Sequence, residues 1–218
     1  MNGAIKICGI RTPEAFDCAV EAGASHIGFA FIEKSPRNIS PSDAQHLAAR
    51  SNSVITVALT VDASDDALQS IATTLKPALW QLHGTETPER VKAVRSRFGI
   101  PVMKVISFTG KASTKEARRF EAVADWLMFD AASGGSGEAF DWNLIVGETW
   151  SKPWFLAGGL TPDTVANAIY QLRPTGVDVS SGVEKPRGVK DCGLIASFIS
   201  KATMAFDDIA LGNTKPQS

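Results

Sequence analysis

Gly176-Val177-Asp178-Val179-Ser180-Ser181-Gly182-Val183-Glu184 reads as a short alternating strand, Val177 to Val179, running into a polar turn with little side-chain bulk. Such a turn offers several backbone N–H groups and two hydroxyls to a single anion. About twenty residues upstream, Trp154-Phe155-Leu156-Ala157 runs into Gly158-Gly159 in the same way. Two consecutive strand-to-turn units with bare, donor-rich ends form a phosphate grip of the kind that follows the seventh and eighth strands of a (β/α)8 barrel. If this is such a grip, six further units precede it.

They are legible. Apolar or β-branched runs recur every 20 to 30 residues at Ile5–Cys8, Ile27–Phe31, Val54–Leu59, Ala78–Leu82, Val102–Ile106, Trp126–Phe129, Trp154–Ala157 and Val177–Val179. Most are continuous rather than alternating, as strands covered on both faces are. Between them, a cap, a first-turn proline and an acid recur. They stand at Thr12-Pro13-Glu14, at Ser40-Pro41-Ser42-Asp43 before Ala44–Ala49, at Thr87-Pro88-Glu89 before Val91–Phe98, and at Thr161-Pro162-Asp163 before Val165–Leu172. Each is a helix start signal. Strand–helix alternation implies a parallel sheet, and eight units imply closure. The predicted fold is an α/β single-domain (β/α)8 TIM barrel of the phosphate-binding type over residues 1–211, with a polar tail at 212–218. An open doubly wound sheet is the alternative.

The 218 residues carry a net charge of −1 and no basic run, which disfavours a nucleic-acid or anionic-membrane surface. No apolar stretch reaches the ~18 residues that span a bilayer. The first residues enter a strand pattern directly, without a secretory signal. Three cysteines, Cys8, Cys18 and Cys192, are an odd number without metal-type spacing, so reduced thiols in a cytoplasmic protein are expected. Cys18 and Cys192 fall in helical segments and read as packing residues.

Barrel chemistry sits where strands end. The residues there are Cys8-Gly9, Phe31 with the loop to Arg37, Asp62, His83-Gly84, Ser107, Asp130, Gly158-Gly159 and Ser180-Ser181-Gly182. Each has an ordinary reading too: Cys8 as a small buried strand residue, Asp130 as a cap or loop ion pair, Arg37 as a solvated loop arginine, and His83 as a core histidine. The glycine and serine turns read equally as plain tight turns. His26 and His46 share no ligand spacing with His83, so no metal site is expected.

Seven motifs occur in order: Lys6-Ile7-Cys8-Gly9; Gly28-Phe29-Ala30-Phe31 with Ser35-Pro36-Arg37; Gln81-Leu82-His83-Gly84; Asp130; Gly134-Gly135-Ser136-Gly137 with Phe140-Asp141-Trp142; Leu156–Leu160; and Gly176–Glu184. Together they resemble the phosphoribosylanthranilate isomerase family of tryptophan biosynthesis, from Lys6 to Glu184. Ser136 stands where the family usually has threonine, and the hydroxyl is kept. The resemblance implies a cofactor-free barrel that performs an Amadori rearrangement on a small phosphorylated substrate, as a monomer or homodimer. One acid opens the ribose ring and one base removes the C2′ proton, so neither metal nor redox cofactor is needed.

On this resemblance Cys8 is the base and Asp130 the acid. A free thiol is only about 3% ionised at pH 7, so the site is expected to lower the Cys8 pKa, with Lys6 either as its helper or as a barrel-interior residue paired to a carboxylate. Leu127, Met128 and Phe129 would desolvate the acid. Arg37 would hold the anthranilate carboxylate in its planar fork. Gly158, Gly159, Ser180, Ser181 and Gly182 would bind the ribose phosphate, helped by a helix N-terminus. His83 and Asp178 are placed as substrate-binding residues, and Asp178 reads equally as the partner of an interior lysine. Gly134–Gly137 reads as a loop able to close over substrate. The rival readings are another barrel enzyme acting on a phosphorylated sugar, such as an epimerase or the histidine-pathway isomerase, which runs the same reaction type with carboxylates, and a non-catalytic phosphate sensor.

Overall fold

The computed structural model describes residues 3–108, 110, 112–131 and 142–213, with only the backbone of residues 131 and 143. Eight parallel strands close into a barrel in chain order. They are β1 (Ala4–Cys8), β2 (His26–Ala30), β3 (Ile55–Thr60), β4 (Leu79–Leu82), β5 (Val102–Phe108), β6 (Trp126–Ala131), β7 (Trp154–Leu156) and β8 (Gly176–Val179). Closure is made by β1 on β8, with Lys6 opposite Asp178 and Ile7 opposite Val179. The described helices are α1 (Pro13–Glu21), α2 (Pro41–Ala48), α3 (Asp65–Thr74), α4 (Pro88–Phe98), α5 (Ala112–Phe120), α6 (Val165–Leu172) and α7 (Cys192–Ala210). Between β6 and β7 the described residues hold only a short 3-10 turn, Trp142–Leu144. Among the described residues no helix is long and apolar enough to cross a membrane.

Three of the four start signals act as read. Thr12, Ser40 and Thr87 each accept a backbone N–H from the third residue on, with proline in the first turn. The fourth is offset. Thr161 opens a separate turn, and α6 begins only at Val165, with no side-chain cap from Thr164.

Period two along each strand divides two cores. One face of the strands packs on the helices, where Ile5, Ile7, Trp80, Leu127, Phe129 and Val177 join a single large cluster. The other fills the barrel with Val57, Leu79, Met103, Val105, Met128, Phe155 and Ala157. Above this apolar plug the inward positions turn polar and small, which opens a cavity at the C-terminal mouth.

The expectation of three reduced thiols is corrected. Cys18 of α1 and Cys192 of α7 form a disulfide, with Cα atoms 5.6 Å apart across 174 residues of sequence, and Cys8 alone is free. The reason is topological. Closure of β1 on β8 makes the first and last helices neighbours, which spacing along the chain does not reveal.

Candidate active site

One cavity of about 480 Å³ lies at the mouth. Its wall takes Cys8 from the end of β1, Arg37 from the loop after β2, His83 from the end of β4 and Asp130 from β6. Gly158 and Gly159 follow β7, and Asp178, Ser180 and Ser181 come from β8 and its turn. The predicted site residues therefore converge, with one exception. Gly182 does not line the cavity; it lies against the backbone of Leu160, where a β-carbon would overlap the Leu160 carbonyl oxygen. Its part is to let the two glycine-and-serine turns pack together. Gly158 and Gly159 adopt φ of 84° and 69°, a left-handed pair that side chains resist. The turn after β8 is a 3-10 turn of three residues, Ser181–Val183, in place of the expected helix N-terminus.

Cys8 sits at the cavity floor beside a fully buried lysine. Lys6 Nζ donates to Asp178 Oδ1 at 2.7 Å, so the interior-lysine reading of Asp178 holds while Asp178 also faces the cavity. A β-carbon on Gly28 would lie 2.9 Å from both Cys8 Sγ and Lys6 Nζ, which places thiol and ammonium side by side. Burial pulls the Lys6 pKa down, but Asp178 and Cys8 outweigh it, and the net direction is up. The lowering expected at Cys8 is corrected to a rise. Burial pushes the thiol up, and the pull of Lys6 does not offset it; Asp178 pushes the same way as burial, and Lys190 weakly opposes.

Asp130 stands beside His83, with Oδ2 and Nε2 3.4 Å apart. His83 is thus a cavity-wall residue and not a core one. Of the three apolar neighbours of Asp130, Met128 shares its inward face, whereas Leu127 and Phe129 pack on the helices. Arg37 is half spent: Nε and Nη2 donate to the two carboxylate oxygens of Glu184, each at 2.7 Å. Only its other edge is open to a ligand. Glu184 would be raised by burial, yet Arg37, Lys190 and the Gly188 N–H bring it down to about 2.

Sequence reasoning assigned no role to Glu184, although it closes the opening motif, and none to Lys190. Lys190 lies ten residues past Ser180 in a loop with no periodicity, so no local signal marked it. Gln81 also lines the cavity, almost wholly buried, with no partner for Oε1. The Gly134–Gly137 loop, Phe140 and Asp141 lie outside the described residues. Among the described residues, no three His, Cys, Asp or Glu side chains gather as metal ligands.

An eight-stranded parallel barrel whose mouth gathers a thiol, a carboxyl group and the glycine-and-serine turns after β7 and β8 places the chain in the TIM-barrel class. The family model for N-(5'phosphoribosyl)anthranilate (PRA) isomerase matches residues 5–201. An N-(5'-phosphoribosyl)anthranilate isomerase of Beijerinckia indica is 47% identical over 206 residues, covering 91% of this chain and 93% of the relative. The crystal structure of phosphoribosyl anthranilate isomerase from Thermotoga maritima superposes with a TM-score of 0.86 at 34% identity, covering 93% and 99% of the two chains. A structure of such an isomerase in complex with reduced 1-(o-carboxyphenylamino)-1-deoxyribulose 5-phosphate gives 0.83 at 33%, with the same coverage. The chain belongs to the phosphoribosylanthranilate isomerase family and is an isomerase of tryptophan biosynthesis.

Proposed function

We propose that the chain converts N-(5-phosphoribosyl)anthranilate into 1-(2-carboxyphenylamino)-1-deoxyribulose 5-phosphate, with Asp130 as general acid and Cys8 as general base. The convergence of Cys8, Asp130, Arg37 and both grip turns on one cavity carries this reading. Gly158, Gly159, Ser180 and Ser181 receive the phosphate, with Gly182 shaping their turn. The open edge of Arg37 receives the aryl carboxylate. Asp178 accepts a ribose hydroxyl, and His83 steadies Asp130 and touches the substrate.

The proton traffic follows from these positions. Asp130 protonates the ring oxygen, the C1′–O bond breaks, and the nitrogen lone pair forms a C1′=N iminium. Cys8 takes the C2′ proton, and the C–H electron pair becomes the C1′=C2′ bond of a neutral enol-amine. Protonation at C1′ and loss of the O2′ proton give the ketone. Burial disfavours the thiolate anion. The iminium cation brings the missing positive charge to its side, so the thiolate is favoured at the step that uses it.

The reaction runs in the cytoplasm, as the biosynthetic family suggests, in a monomer or a homodimer; a relative from Thermotoga maritima is described as dimeric. The Cys18–Cys192 bond, unusual in a reducing compartment, is the observation that stands against that location. The test is the fluorescence decay of enzymatically made substrate. Cys8→Ala and Asp130→Asn each lower kcat by about 10²- to 10⁴-fold, the range for general acid–base groups, while the reduced product analogue still binds in calorimetry. Near-parental turnover in either variant removes that residue from its role. Turnover of the histidine-pathway aminoaldose instead would reassign the substrate.

A further inference from the structure

Two side chains that do not line the cavity join three residues that do. Glu184 and Lys190 are 1% and 3% exposed. Glu184 Oε1 accepts from Arg37 Nε at 2.7 Å and from Lys190 Nζ at 2.8 Å. Lys190 Nζ also donates to the Ser180 carbonyl at 2.9 Å and lies 3.3 Å from Ser180 Oγ. Ser180 Oγ in turn donates to the Cys8 carbonyl at 3.1 Å. The Gly188 N–H closes on Glu184 Oε2 at 2.8 Å. A buried chain therefore runs from the guanidinium through a carboxylate and an ammonium to the phosphate turn and the backbone of the thiol.

Arg37, Ser180 and Cys8 come from three strand ends, and a substrate held by carboxylate and phosphate must span them. Misplacing one by about 1 Å can cost on the order of 10²-fold in rate. A purely structural ion pair can be exchanged for packed apolar groups. This one shares its atoms with site residues, so its exchange releases them.

We propose that Glu184 and Lys190 are positioning residues for this reaction, which hold Arg37, the Ser180 turn and Cys8 at the span that presents C2′ to the thiol. The proposal rests on Cys8 being the base. Lys190 has a second consequence for that group. The charged groups facing Cys8 are Lys6 of β1, Asp178 of β8, Arg37 of the loop after β2 and Lys190 of the loop before α7. Removing Lys190 takes away one of three cations.

The experiment is steady-state kinetics across pH on Lys190→Met, Lys190→Arg and Glu184→Gln, with Cys8→Ala alongside. Lys190→Met is expected to lose about 10²-fold in kcat/KM through both a higher KM and a lower kcat. Its thiol limb in the kcat/KM profile moves to higher pH. Lys190→Arg restores most of kcat/KM and returns the limb. Glu184→Gln raises KM more than it lowers kcat, because it frees Arg37. A folded Lys190→Met with parental kcat, KM and limb overturns the proposal. If that variant does not fold, a parental KM in Glu184→Gln overturns it equally. Turnover by Cys8→Ala instead sinks the underlying assignment of the base, an outcome separate from both.

Discussion

Two of the buried lysine–carboxylate pairs join a strand lysine to an acid at nearly the same length, and they do different things because they lie on opposite faces of the sheet. Lys6 is a fully buried inward residue of β1, 2.7 Å from Asp178 of β8 and beside the candidate base. Lys104 is an outward residue of β5, 2.8 Å from Glu86, over the ring of Phe120 in the helix layer. It also donates to the carbonyls of Leu82 and Gly84, while Glu86 accepts the Asp62 and Gly84 N–H groups. One pair sets charge beside Cys8; the other ties down the loop that carries His83. Strand parity decides which is which, since one residue of shift sends a side chain through the sheet.

Replacing each lysine by methionine breaks the symmetry most sharply. Either change strands a buried carboxylate, so each is expected to lose on the order of 3–5 kcal/mol, read from denaturant unfolding. Turnover separates them. Lys6→Met removes the cation beside Cys8 and is expected to lower kcat by about 10²-fold, the scale of a general base left unsupported. Lys104→Met leaves Cys8 and the Lys6–Asp178 pair in place and loosens only the His83 loop, so its folded fraction is expected to lose less kcat than Lys6→Met. Equal losses of kcat in the two variants would show that face does not govern role.

The next effect concerns a neighbour of Lys6 that has no carboxylate. His26 pairs with Lys6 in the β1–β2 register, packs edge-on against Phe155, and has only the Ser25 hydroxyl as a polar partner. Burial first, then the charge of Lys6, lowers its pKa from 6.5 to about 4. The folded state therefore keeps His26 neutral while the unfolded chain takes a proton below pH 6.5. Stability falls as pH drops from 6.5 toward 4, and the native group protonates only near the lower end. The loss amounts to about 3 kcal/mol at most by linkage. Melting temperatures of the parent and His26→Gln against pH check it: the parent declines more steeply over that window. Parallel curves would place the titration elsewhere. Lys6 keeps its charge and His26 gives it up because only Lys6 faces an acid.

Much of this was legible in the chain. Val54–Leu59 and Trp126–Phe129 fall within a residue or two of their strands because runs buried on both faces announce themselves. Thr12, Ser40 and Thr87 announce their helices by local hydrogen bonding that needs no distant partner. That Cys8, Asp130, His83 and Ser180 share one cavity was readable because the ends of parallel barrel strands meet at one mouth. What escaped depends on distant residues meeting: the Cys18–Cys192 bond, the Glu184–Lys190 link to Arg37, and the net direction of the Cys8 pKa. The last is a balance between burial and a lysine two residues away, and sequence supplies the lysine without the burial. The α3 segment, Asp65–Thr74, is capped by Ser64 but lacks a first-turn proline, so it carried a weaker version of the same signal.

The smallest change tests the contrast at a single methyl. Gly28 lies opposite Cys8 in the β1–β2 register, and an alanine there would place its β-carbon 2.9 Å from both Cys8 Sγ and Lys6 Nζ. Both atoms are ends of side chains, so the barrel accommodates the methyl by moving them. Gly28→Ala is therefore expected to cost about 1–3 kcal/mol of stability, the usual scale for overpacking. The displaced atoms are the candidate base and its neighbour, so kcat should fall by about tenfold or more while KM for a substrate held at its two far ends stays near parental. The phosphate and carboxylate contacts proposed for the turns after β7 and β8 and for Arg37 would be untouched by the methyl. A raised KM with normal kcat would mean that Gly28 borders the binding determinants instead, and that thiol and ammonium are not held to one geometry by the empty space beside them.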